Sequence, residues 1–152
     1  MSLRLRKAVS ADRDLLFVWA NDDAVRANAF HTEKIPYEKH VMWFEKVMAD
    51  PSVHQYILCD GETPVGQIRL NVEGSEAVVD YSIAADERGK GCGSEMLRML
   101  QTQLPADQIT HVTKIVGQVK YGNHASARAF ERCGYRRRDL PDYIQYEKNM
   151  TE

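Results

Sequence analysis

The chain has 152 residues, 43% of them apolar and 28% charged, with a net charge of -2. One domain spanning 1–152 is the expected organisation, and the charge speaks against a general nucleic-acid binder. No apolar run reaches the length of a membrane span, the first residues lack the apolar core of a secretory signal, and Cys59, Cys92 and Cys133 form no C-x-x-C pair, so a reducing cytoplasm is the expected setting.

Leu3, Leu5 and Ala8-Val9 partly alternate with Arg4, Arg6 and Lys7, which predicts a first strand with one buried face. Ser10 or Asp12 is placed to cap a first helix, with Leu15, Leu16, Val18 and Trp19 as its apolar side. Asn21-Asp22-Asp23 loosens that helix. Residues 26–36 have no clean period and hold Asn28, Phe30, His31, Thr32 and Glu33, a mixture suited to a binding loop. A second helix is expected over 36–48, with Pro36 in its first turn. Tyr37, Val41, Phe44 and Met48 are expected on one face of it, Trp43 and Val47 lie beside them, and Asp50-Pro51 ends it. Residues 56–59, 65–72 and 77–84 read as three strands, separated by turns at Asp60-Gly61-Glu62-Thr63 and Gly74-Ser75. That is the pattern of an antiparallel meander.

The third of these strands feeds Arg88-Gly89-Lys90-Gly91-Cys92-Gly93-Ser94, which precedes the helix-like run Glu95 to Leu100. Glycines let the chain turn sharply and let a ligand approach the backbone. Free N–H groups at a helix start carry partial positive charge. Arg88 and Lys90 add full charges, so the stretch should hold a phosphate-bearing ligand, a pyrophosphate above all. A Walker A loop would need Ser or Thr directly after Gly-Lys, and a dinucleotide fold would need repeated βαβ units; neither is present. The helix that follows places Met96, Leu97, Leu100 and Leu104 on one side, and Pro105 should stop it. Residues 110–120 read as a strand. Asn123 caps a helix over 125–132, with Gly134 as its C′ residue. Two closing strands, 135–138 and 143–148, meet at Leu140-Pro141. The order is a mixed α/β (α+β) pattern of about seven strands, largely antiparallel, and four helices.

Arg88-Gly89-Lys90-Gly91-Cys92-Gly93 resembles the Arg/Gln-x-x-Gly-x-Gly/Ala signature of the GNAT superfamily of acetyl-CoA N-acyltransferases. Asn123-His124-Ala125-Ser126-Ala127-Arg128-Ala129-Phe130-Glu131-Arg132-Cys133-Gly134-Tyr135 resembles the second block of that family, in the right order. Trp19-Ala20-Asn21-Asp22-Asp23-Ala24-Val25-Arg26 with His40-Val41-Met42-Trp43-Phe44 is similar to the RimJ/RimL-like branch. It is especially similar to N-acetyltransferases of nucleotide-linked 4-amino-4,6-dideoxy sugars on the way to pseudaminic-acid-type sugars.

The resemblance implies a GNAT fold with its fourth and fifth strands splayed, and acetyl-CoA as co-substrate. It puts the pyrophosphate on the backbone N–H groups of Arg88, Gly89, Lys90, Gly91, Cys92, Gly93 and Ser94. Pantetheine would lie along Ser82, Ile83 and Ala84, with the N–H of Ile83 or Ala84 as donor to the oxyanion. Asn123 would bond the pantetheine arm, with Ser126 and Arg128 further along; Asn123 also reads as a plain helix cap. Many relatives carry a Glu five residues before this Asn and a Tyr seven after it, to move protons; here they are Gln118 and Phe130. Neither titrates, so Gln118 is expected to hold a water and Phe130 to be core.

Ser82, Gln118 and His31 remain the candidates for proton handling, with His31 also readable as a solvated loop histidine. Phe30, His31, Glu33, Gln67 and Asp80 are the expected acceptor contacts, Arg69 accompanies Gln67, and Arg136 with Arg138 could meet acceptor phosphates. Cys92 fills a packing position, and the histidines show no metal spacing. The expected acceptor is a small-molecule amine, a nucleotide sugar first, with a monomer or homodimer as the assembly. A protein N-terminus as acceptor, and a non-catalytic acetyl-CoA-binding module, are the two rival readings.

Overall fold

In the computed structural model, which describes residues 1–151, seven strands form one sheet in the order β1-β2-β3-β4-β5-β7-β6. The strands are β1 Leu3–Lys7, β2 Val53–Asp60, β3 Thr63–Glu73, β4 Glu76–Ile83, β5 Lys114–Val119, β6 Arg136–Asp139 and β7 Ile144–Asn149. The helices are α1 Arg13–Ala20, α2 Asp23–Asn28, α3 Tyr37–Ala49, α4 Cys92–Ala106 and α5 His124–Arg132. Each neighbouring strand pair is antiparallel except β4 with β5, which is parallel.

That parallel pairing is short. It runs from Glu76 against Lys114 to Val79 against Gly117 and then stops, although β4 continues to Ile83 and β5 to Val119. Beyond Val79 the two strands part, as expected, and their facing backbone groups open into a cleft.

The two faces of the sheet are covered separately. Tyr56, Leu58, Ile68, Leu70, Val79 and Ile115 pack beneath α4 and α5, against Met96, Leu97, Leu100, Leu104 and Phe130. On the other face a smaller cluster of Leu16, Phe44, Ile57 and Cys59, with Trp19 and Trp43 against it, seats α1 and α3. Burying two faces in this way is what the unbroken apolar run Tyr56-Ile57-Leu58-Cys59 of β2 requires, since successive side chains point to opposite faces.

Among the described residues five α-helices are present where four were expected. Asn21-Asp22-Asp23 does not merely loosen α1: Asp22 accepts the N–H of Val25 and caps α2. The expected strand at 110–120 is only Lys114–Val119, because Val112 is buried in a loop that crosses to Ser75. Pro105 lies inside the last turn of α4 rather than ending it. The faces of α1 and α3 also differ from the expected ones. Val18, Tyr37 and Met48 are exposed, while His40 is buried, its Nε2 2.7 Å from the Arg13 carbonyl oxygen. Asp12 does not cap α1 with its side chain. Its carboxylate takes two hydrogen bonds from Arg6, at 2.8 and 2.9 Å, and one from the Val9 N–H.

Candidate active site

A cleft of about 930 Å³ opens where β4 and β5 part, walled on one side by α1–α3 and on the other by the starts of α4 and α5. Of the expected site residues it brings together Phe30, Gln67, Asp80, Ser82, Ile83, Arg88, Gly89, Gly91, Cys92, Gly93, Ser94, Gln118, Asn123, Ser126 and Arg128.

The glycine stretch turns the chain into α4 in the way its residues suggest. Gly89 and Gly91 have φ of 80° and 83°, a region L side chains rarely adopt, and Gly91 is the residue that starts α4. Gly93 is there for a different reason. A Cβ on it would lie 3.2 Å from the Tyr81 ring, so glycine leaves room for that side chain. The N–H of Glu95 already bonds Gly91 O, while the preceding N–H groups of the first turn face outward at the positive end of a 15-residue helix.

The two flanking cations are less free than their place in the motif suggests. Arg88 donates to Asp22 Oδ2 at 2.7 Å and to the Ile83 carbonyl at 3.1 Å. It thereby ties the glycine stretch to the cap of α2, and this contact holds the Asp22 carboxyl below the usual carboxylate range. Lys90 pairs with Glu87 at 3.0 Å, lies outside the cleft lining, and is raised by that partner. Cys92 is 2% exposed, and burial pushes its thiol up, as a packed side chain requires.

On β4 the two expected oxyanion donors separate. The Ala84 N–H bonds the Val65 carbonyl at 2.8 Å and Ala84 is not part of the cleft lining. Strand alternation turns the Ile83 N–H the other way, into the gap beside β5. Asp80 on β4 and Gln118 on β5 follow directly after the last paired residues, Val79 and Gly117, and share the face that looks toward α1 and α3. Arg69 reaches Asp80 at 3.4 Å and stacks over Trp43, 5.2 Å from its ring centre.

Phe130 is core, as expected. It is 2% exposed, stacks on Tyr146 and presses on Gly117, where an added Cβ would sit 2.3 Å from the ring. Asn123 does cap α5, accepting the Ser126 N–H at 3.2 Å, and it lines the cleft; its amide nitrogen has no protein partner among the described residues. Ser126 lies 3.1 Å from the Tyr81 hydroxyl, whose phenol is pushed up by burial.

His31 and Glu33 are not brought to the cleft. Both side chains are exposed, and their carbonyl oxygens instead accept from Arg26, which fastens the loop after α2. Arg136 and Arg138 lie on the edge strand β6, also outside the lining. The cleft adds Gln55 and Lys39, which the sequence reading passed over, and Arg26 and Trp43, which it quoted in the branch segment without giving them a place in the site. Gln55 had a readable signal. It stands two residues before Ile57, so alternation puts both on the same face of β2. No cluster of His, Cys, Asp and Glu able to hold a metal occurs among the described residues. No helix among them is long and apolar enough to cross a membrane.

Residues 2–136 match the family model described as an acetyltransferase (GNAT) domain. The chain belongs to that family, and it is by class an acetyl-CoA-dependent N-acetyltransferase. Its fold is similar to that of spermidine N-acetyltransferase from Vibrio cholerae in complex with CoA and spermine, with a TM-score of 0.87 and 16% identity over 99% of this chain and 96% of that one. It is also similar to an aminoglycoside acetyltransferase holding coenzyme A and kanamycin, with a TM-score of 0.81 and 21% identity over 97% and 95% of the two chains. A third similar structure is RimL, a ribosomal-protein alpha-N acetyltransferase in complex with coenzyme A, with a TM-score of 0.82 and 16% identity over 98% and 94%. A comparison with curated protein sequences gave no match.

Proposed function

We propose that the chain moves an acetyl group from acetyl-CoA to the primary amine of a nucleotide-linked 4-amino-deoxy sugar. The observation that carries the acceptor assignment is the charge of the cleft wall. Arg26, Lys39, Arg69, Arg88, Arg128 and Arg132 line it, against Asp80 and Glu87. Arg88, Arg128 and Arg132 stand on the glycine stretch and α5, beside the expected place of the cofactor's phosphates. Arg26, Lys39 and Arg69 stand on α2, α3 and β3, on the acceptor side. A polycation such as spermine or kanamycin would meet repulsion there. An acceptor carrying a diphosphate would be drawn in.

In this reading the N–H groups of Cys92, Gly93 and Ser94 hold the cofactor's pyrophosphate, and Asn123 Nδ2 bonds its pantetheine arm. The thioester carbonyl lies against the Ile83 N–H, which stabilises the oxyanion as the amine attacks. Asp80 draws in the substrate ammonium. The amine loses a proton to water held at Gln118, its nitrogen bonds the acetyl carbon, and the C–S bond breaks to release coenzyme A thiolate. Positioning provides most of the acceleration, since neither Gln118 nor Phe130 can carry a proton. The three cysteines, all unpaired and buried, fit a reducing compartment such as the cytoplasm.

The test is turnover by purified protein with acetyl-CoA and a panel of amines, followed as free thiol release. Fastest turnover with the nucleotide amino sugar supports the reading. Turnover confined to peptides would replace it with protein N-terminal acetylation, the activity named for RimL.

A further inference from the structure

The floor of the acceptor half of the cleft carries an uninterrupted run of three polar side chains, Gln55 on β2, Gln67 on β3 and Ser82 on β4. Gln55 Nε2 donates to Gln67 Oε1 at 2.8 Å, and Gln67 Nε2 donates to Ser82 Oγ at 3.2 Å. All three residues line the cleft, and both glutamines are buried, at 6% and 8% exposure.

The polarity of this run is determined by its buried end. Gln55 Nε2 also faces the carbonyl oxygens of Tyr56, at 3.2 Å, and Ile68, at 3.4 Å. Carbonyl oxygens only accept, so this end of the Gln55 amide must be its nitrogen. Gln67 is then obliged to turn its oxygen to Gln55 and its nitrogen to Ser82. Ser82 Oγ is therefore already an acceptor inside the protein, and its own hydrogen has no protein acceptor among the described residues. The arrangement leaves Gln55 Oε1 buried without a partner. Buried acceptors are nearly always paired, and leaving one unpaired is destabilising. Flipping Gln55 would pair that oxygen no better and would set it against three other oxygens.

We infer that the Gln55–Gln67–Ser82 run is a specificity device: it presents the Ser82 O–H to the acceptor as a hydrogen-bond donor, and so selects amines that carry an oxygen beside the reacting nitrogen over bare polyamines. Ser82 contacts the acceptor; Gln67 and Gln55 are positioning residues that set which way its hydrogen points. A hydroxyl, ether or carbonyl oxygen on the carbon next to the amine-bearing one satisfies the donor. A methylene of a polyamine leaves it unpaired. The inference rests on the acyl-transfer reading of the cleft, but it does not depend on the acceptor being a nucleotide sugar.

Three acceptors separate these points: a nucleotide-linked 4-amino-4,6-dideoxy sugar, a peptide with a free N-terminus and 1,4-diaminobutane. For whichever oxygen-bearing amine the wild type prefers, Ser82→Ala is expected to raise the acceptor KM about ten-fold, the worth of one hydrogen bond. The KM for acetyl-CoA should stay unchanged, and Ser82→Thr, which keeps the hydroxyl, should restore most of the loss. Gln55→Leu frees Gln67 to turn and take the Ser82 hydrogen itself, so it should raise the same KM in the wild type and add nothing in the Ser82→Ala background. A purely structural role for Gln55 would make the two effects additive, and that result overturns the inference. An acceptor KM within two-fold of wild type in Ser82→Ala, or diaminobutane as the preferred acceptor, overturns it as well. Turnover of peptide alone, with the Ser82 and Gln55 effects intact, would reject the nucleotide-sugar reading and uphold this one.

Discussion

Gly117 and Phe130 show how single residues shape the point where the strands part. The ring of Phe130 occupies the space a side chain on residue 117 would need, so the glycine in β5 exists to admit the ring. Gly117→Ala is expected to destabilise the fold by about 1–3 kcal/mol through overcrowding, read as a lowered unfolding midpoint in denaturant. Phe130→Tyr adds a hydroxyl to the same crowded ring and should lose stability without gaining rate. A rise in kcat in that variant would show that the site still has room for an acid at this position. The identity of Phe130 as core was legible from its place on the helix face. The demand it makes on Gly117 was not, because that contact joins residues 13 apart in sequence and two different elements. The three glycines of the stretch Arg88 to Ser94 looked alike in the sequence. Gly91 and Gly93 in fact serve backbone conformation and side-chain clearance respectively. Gly91→Asp should weaken coenzyme A at least ten-fold by calorimetry, and Gly91→Asn should lose much less. Both side chains tolerate a left-handed backbone, so the difference isolates the charge. Equal losses would show that strain, not phosphate repulsion, is responsible.

At the scale of elements, the turn from β1 into α1 depends on one ion pair. Asp12 is 5% exposed and receives two hydrogen bonds from Arg6 and one from the Val9 N–H. The bonds from Arg6 hold its carboxyl below the usual range. The folded pKa is depressed, so the stabilisation is fully present above the unfolded value of about 3.9 and is lost as pH falls through the lower folded value. Asp12→Asn should remove roughly 2–3 kcal/mol at neutral pH and much less in strong acid, measured by denaturant unfolding at each pH. A pH-independent difference would place the effect in packing instead. This pair was not legible in the sequence, where Asp12 reads as a helix cap. A carboxylate six residues from an arginine carries no local signal. The strands and the long helices were legible because apolar alternation and glycine turns bound them. The helix α2 was missed although Asp22 is a good cap, because six residues give too little periodicity to see. His40 was missed as a core residue of α3 since its burial depends on the carbonyl of Arg13, on another helix.

At the scale of the molecule, one sheet separates two tasks. The α4 and α5 face carries the larger core, the glycine stretch and the Asn123 cap, which gave the strongest motifs in the sequence. The α1–α3 face carries the smaller core and the wall we assign to the acceptor, built from residues of α2, α3, β2, β3 and β4 that no single local motif spans. A cofactor common to many chains is held by backbone geometry, and backbone geometry demands glycines at fixed spacing. An acceptor is held by side chains assembled across strands, and those are visible only after the sheet is paired. This is why His31 and Glu33, chosen from a loop, are absent from the cleft while Gln55 and Lys39 are in it. The link from Arg88 to Asp22 joins the two halves, so Asp22→Asn should raise the KM for acetyl-CoA several-fold while leaving stability within about 1 kcal/mol of the parent, as for other exposed ion pairs. A larger loss of stability with an unchanged KM would reduce that link to a structural brace.

The cation-lined acceptor wall is tested most directly by comparing kcat/KM for the nucleotide-linked amino sugar with that for the same sugar lacking its nucleotide diphosphate, at low and at high salt. The charges of Arg26, Lys39 and Arg69 predict a preference of at least ten-fold for the nucleotide-linked form that shrinks as salt screens the wall. Equal values for the two sugars at low salt, or faster acetylation of 1,4-diaminobutane than of either, would contradict it.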